Sequence, residues 1–149
     1  MILRATFLIL AVMVASPHAA VGDEIAKVSR YLSGTASGLS FSGTKFSLSW
    51  QFAPYDGRKV KKWVGGDSVD PPTYVVKELQ LSLSGHKVSI PESAYFDIFD
   101  PPVQAAGPYI LEDSQFLYLV LHASDGAGSA KVSLRFKNGT YIDREVEKH

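Results

Sequence analysis

Arg58-Lys59-Val60-Lys61-Lys62-Trp63 sets four cations and an indole within six residues. The whole chain carries 15 Lys and Arg against 15 Asp and Glu, so this run is a local concentration of positive charge in a neutral protein. Cationic groups beside an aromatic face suit an anionic glycan, a lipid head group or an acidic protein surface. Arg58, Lys59, Lys61, Lys62 and Trp63 are therefore the candidate binding residues. The same run also fits a short strand over 59–64 at a sheet edge, where lysines block unwanted pairing.

A second constellation is acidic. Asp97 and Asp100 flank Ile98-Phe99, with Glu92 close by. Two carboxylates held across a cleft can divide the acid and base roles of glycoside hydrolysis. However, Asp100-Pro101-Pro102 and its counterpart Asp70-Pro71-Pro72 are first of all turn chemistry.

Other chemistries find less material. His86, His122 and His149 lie far apart, and none belongs to an HxH or HExxH pattern. With no cysteine, a thiolate zinc site, a thiol nucleophile and a disulfide framework are excluded. No serine sits in G-x-S-x-G. The Gly-rich run Ser124–Ser129 offers backbone N–H groups to an anion but follows no phosphate-loop pattern. Asn138-Gly139-Thr140 matches the glycan acceptor pattern, although Asn-Gly is already explained as a turn. No metal and no cofactor are expected.

The compartment is suggested by the first residues. Arg4 precedes the apolar run Ala5–Ala15, and Ser16-Pro17-His18-Ala19-Ala20 ends it in small residues. Charge, short apolar core and small-residue cleavage region form the export pattern. The run is shorter than the ~20 apolar residues a spanning helix needs. Residues 1–20 are thus expected to be a signal peptide cleaved near Ala20, leaving 21–149 as one periplasmic or secreted domain. No transmembrane segment is expected in it. Cleavage removes one arginine and no acid, so no global field remains to draw nucleic acid.

The elements that must position these residues are mostly strands. Asp23–Leu32 is the one helix candidate, with Ile25, Val28 and Leu32 at helical spacing and Gly34 just beyond. After Gly34 the apolar period becomes two. Leu39 and Phe41, then Phe46, Leu48, Trp50 and Phe52, alternate with polar residues. A hairpin closing Phe41 on Phe46, with Gly43 in a type II′ turn, would pair Leu39 with Leu48. Leu81–Ile90 repeats the plan around Gly85-His86, closing Leu83 on Val88 and pairing Leu81 with Ile90. Phe116–His122 is apolar on both faces and reads as a central strand. Ala130–Phe136 runs into Asn138-Gly139. A three-residue loop there would set Ile142 opposite Leu134 and Val146 opposite Ala130.

Six to eight antiparallel strands with one short N-terminal helix predict a β-sandwich, with an open β-barrel as the alternative. The expected function is that of an exported binding or accessory domain without enzymatic activity. Its expected partner is an anionic polymer, a lipid head group or an exported protein. The alternatives are a small cell-envelope hydrolase using Glu92, Asp97 or Asp100, and an inhibitor of another exported protein.

Overall fold

A computed structural model describes residues 32–64, 71–102, 107–124 and 128–149. The expected signal peptide, and all of the expected helix except Leu32, lie outside the described residues. Within them the chain forms eight strands: β1 (Ser33–Leu39), β2 (Lys45–Pro54), β3 (Tyr74–Leu83), β4 (His86–Val88), β5 (Tyr109–Glu112), β6 (Leu117–Ala123), β7 (Ala130–Lys137) and β8 (Thr140–Lys148). A 3-10 turn occupies Glu92–Ala94. The strands form two antiparallel sheets in simple chain order, β1-β2-β3-β4 and β5-β6-β7-β8.

Directly opposite residues share a face. In the first sheet Leu48 stands opposite Leu81 and Phe46 opposite Leu83. In the second, Leu117, Leu119 and Leu121 stand opposite Phe136, Leu134 and Val132. All of these except the half-buried Phe46 are buried, and a single hydrophobic cluster draws on both sheets. Burying each such side chain contributes about 1.5–3 kcal/mol before chain entropy is charged. β6 is the central strand its composition predicts: Val120 points away from the cluster and is still only 1% exposed.

Three hairpins differ from the registers the pattern predicts. In the first, Leu39 pairs with Lys45, and Gly34, Ala36 and Gly38 stand opposite Trp50, Leu48 and Phe46. The loop is Ser40–Thr44, closed by Ser40 N–H to Thr44 O at 2.9 Å and Gly43 N–H to Ser40 O at 3.0 Å. The cause is volume. The large rings of β2 fill the inner face, so the strand beside them must present glycine and alanine there. A Cβ on Gly34 would lie 2.5 Å from Cζ2 of Trp50. Leu39 and Phe41 are consequently turned out to solvent.

In the second hairpin, Leu81 pairs with Val88 and not with Ile90. Ser84 (φ 49°) and Gly85 (φ 82°) form a two-residue loop with both residues left-handed. The pattern expects the two-residue turn one position later, at Gly85-His86; with Ser84 and Gly85 both left-handed, the turn matches the twist of the flanking strands and the register shifts. The third hairpin uses the same device at Asn138 (φ 51°) and Gly139 (φ 75°), so Lys137 pairs with Thr140. The expected three-residue loop is absent. The extra residue appears instead as a bulge at Ile142, beyond which Leu134 faces Arg144 and Val132 faces Val146.

The connection after β4 works as a strap. Val75 forms an isolated bridge with Phe99, Val76 N–H donates to Ile98 O, and Ser124 N–H donates to Phe99 O. The segment 95–100 therefore touches both sheets.

Candidate functional site

The basic run lies in the loop that leaves β2. Among its described residues there is no strand over 59–64, because three of its side chains or amides are directed inward instead of along an edge. Arg58 is the first. Its Nε and Nη2 grip Asp56 at 2.9 and 2.8 Å, and its Nη1 donates to Val76 O (3.1 Å) and Phe96 O (3.2 Å). The guanidinium also sits 4.7 Å above the Phe96 ring. Hydrogen bonding to Arg58 holds the Asp56 carboxyl at about 2, well below the usual carboxylate range.

Trp63 is the second. It is half-buried and meets Phe99 and Tyr55 edge-on, with ring centroids 5.4 and 6.1 Å apart. Val64 is buried, and its N–H donates to Asp97 O at 3.1 Å. Arg58, Trp63 and Val64 thus pin the loop at both ends. Between the pins, Lys59, Lys61 and Lys62 are exposed. The five residues picked from the sequence therefore divide into two supports, Arg58 and Trp63, and three outward cations.

The acidic residues are committed to the fold. Both oxygens of Asp97 accept from Arg144, at 2.5 and 2.7 Å, and Arg144 also reaches Ala94 O. This fork ties the strap to β8. Asp100 accepts from the backbone amides of Thr73 and Tyr74, its closest contacts being 2.8 and 2.7 Å. Glu92 is exposed and opens the 3-10 turn, and its backbone oxygen accepts from the Tyr95 N–H. Asp97 thus holds Arg144, and Asp100 holds the backbone at the start of β3.

The histidines stand apart in the same sense. His86 is exposed at the start of β4. His122 lies on the outer face of β6, its ring 6.0 Å from that of Tyr109, and burial lowers its pKa, with Lys131 and His149 adding repulsion. Among the described residues no group of three or more histidines and acids could hold a metal ion. Among them, too, no helix is long and apolar enough to cross a membrane.

One constellation had no signal in the sequence pattern. The β1–β2, β3–β4, β5–β6 and β7–β8 turns converge at the end of the molecule opposite the lysine loop and surround a cleft of about 1010 Å³. Ser42 joins the two sheets there, its N–H and Oγ donating to Glu112 at 2.7 and 2.8 Å. Phe41 stands at its rim, 97% exposed. The sequence reading placed Phe41 inside, because alternation alone cannot tell an inner face from an outer one.

In comparison with known proteins, no family model, no curated protein and no solved structure matches this chain.

Proposed function

We propose that the chain is an exported, non-enzymatic binding or accessory domain, a β-sandwich that engages an anionic cell-envelope partner through Lys59, Lys61 and Lys62. The observation that carries this reading is the division of labour in the 55–64 loop. Arg58 and Trp63 are spent on anchoring, and three ammonium groups are held outward between the anchors. A loop pinned in this way loses less conformational entropy when a ligand orders it. Trp63, half-buried, supports the lysines and does not itself meet the partner. The sandwich reading rests on the single cluster shared by both sheets. The export reading rests on the pattern of residues 1–20. The carboxylates offer the hydrolase alternative little support, since Asp97 and Asp100 are held by Arg144 and by backbone amides.

The test is retention on a sulfonated cation-exchange matrix at moderate salt. The double substitution Lys61→Glu and Lys62→Glu abolishes retention and leaves the melting temperature unchanged, because both side chains are exposed. Retention equal to that of the parent chain removes this site.

A further inference from the structure

The cleft among the hairpin turns is independent of the lysine loop. The two lie at opposite ends of β2, whose 10 residues span roughly 30 Å at ~3.3 Å each. At about 1010 Å³ the cleft stands at the top of the ~300–1,000 Å³ range of small-molecule sites. Its floor is apolar, formed by Leu117 and Phe136 of the buried cluster. Its rim carries Phe41 and the half-buried Phe116.

The polar groups at the rim decide the ligand class. The acids are engaged within the protein: Glu112 accepts both donors of Ser42, and Asp113 accepts from the amides of Gln115 and Phe116 and from the Tyr118 hydroxyl. The cation Lys137 lies 5.7 Å from the centre of the Phe116 ring. By contrast, among the described residues no hydrogen-bond partner is seen for the side chains of Gln115, Asn138, Ser84 or Ser114, all of which line the cleft. Two amides and two hydroxyls can therefore donate and accept toward a ligand, and none of the four carries charge.

A rim of uncommitted neutral amides and hydroxyls, joined by the exposed imidazole of His86, next to aromatic faces over an apolar floor, matches one kind of molecule. It must be uncharged, rich in hydroxyls, and have apolar C–H faces able to lie on a ring. We propose that this cleft binds a neutral oligosaccharide, with Phe41 stacking on a sugar ring and Gln115 and Asn138 hydrogen-bonding to its hydroxyls. Phe41 then has a reason to be exposed: at 97% exposure it contributes almost nothing to the core and projects a complete aromatic face. Loops gathered at one end of a rigid sheet framework are a common way to build such a site.

The experiment is an amide-shift titration of the 15N-labelled chain with three uncharged probes, chitotetraose, cellotetraose and maltotetraose. At least one produces saturable shifts at Ser42, Gln115 and Asn138. Phe41→Ala weakens that binding about tenfold or more without changing the melting temperature. The Lys61→Glu, Lys62→Glu variant binds the sugar as the parent does, which separates this site from the lysine loop. No saturable shift with any of the three probes overturns the proposal. So does binding that survives Phe41→Ala undiminished. Shifts at these residues with an unstructured Phe-rich peptide, and none with the sugars, overturn it in favour of peptide recognition.

Discussion

Gly34 of β1 lies against the indole of Trp50 so closely that a Cβ there would stand 2.5 Å from Cζ2 and 2.9 Å from Cη2. Gly107 approaches the same ring, at 2.9 Å by the same measure. The inner face of β1 is therefore built of small residues because β2 has already filled the space. Gly34→Ala must displace the indole, at a cost of about 1–3 kcal/mol. Gly38→Ala meets Phe46 at 3.4 Å and costs much less. Urea denaturation of the two variants checks this, with equal stabilities as the contradicting result.

The fork between Asp97 and Arg144 is the second target. Its side chains are 17% and 26% exposed, so the pair is only partly screened. A double-mutant cycle with Asp97→Asn and Arg144→Gln gives a coupling of about 1–2 kcal/mol, between the surface and buried limits. A coupling near zero would mean that the strap is held to β8 by other contacts.

The turn at Ser84-Gly85 carries a small strain. Ser84 is left-handed, a conformation that asparagine adopts more readily than serine. Ser84→Asn recovers part of the roughly 1–2 kcal/mol that the left-handed region costs an ordinary residue. The melting temperature therefore rises, by analogy with Asn138 in the β7–β8 turn. A fall in melting temperature contradicts the assigned turn.

His122 gives the fold a pH dependence. Burial, then His149 and Lys131, lower its pKa from the ordinary 6.5. The unfolded chain accordingly binds a proton more readily than the folded one below that value. The stability associated with the neutral ring is complete above pH 6.5 and is lost as pH falls through the folded pKa. Tyr109 packs beside it, and Lys131 is itself paired with Glu147. His122→Phe flattens the stability profile across this window; an unchanged slope would assign it to other groups.

How much of this was legible in the sequence follows from what alternation encodes. The parity of Leu48, Trp50 and Phe52, of Leu81 and Leu83, and of Val132, Leu134 and Phe136 correctly marked faces turned to the core, because large apolar side chains on successive alternate positions have one way to be buried. Turn placement was not legible. Ser84-Gly85 puts the two-residue turn one position before the expected Gly85-His86, and Asn138-Gly139 forms a two-residue loop where three residues were expected. The bulge at Ile142 then sets Val132 opposite Val146 but leaves Leu134 opposite Arg144. Leu39 and Phe41 misled for another reason: two large residues imitate an inner face, and only the rings across the strand pair exclude them.

The candidate site was half legible. Charge density picked out residues 58–63, but nothing in their order distinguishes Arg58, folded back on Asp56 and two carbonyls, from the lysines that remain outside. The carboxylates at 97 and 100 looked equivalent to catalytic acids because their partners, Arg144 and the amides of Thr73 and Tyr74, are remote in sequence. The cleft beside Phe41 needed four separate turns to be brought together.

The claim that Lys59, Lys61 and Lys62 form the contact surface is tested most directly by mapping a simple anionic polymer onto the 15N-labelled chain. On titration with inorganic polyphosphate, the account predicts amide shifts concentrated in residues 59–63, reversed by added salt as exposed charges are screened and absent from the Lys61→Glu, Lys62→Glu variant. Shifts centred elsewhere, or binding that the variant retains, would contradict it.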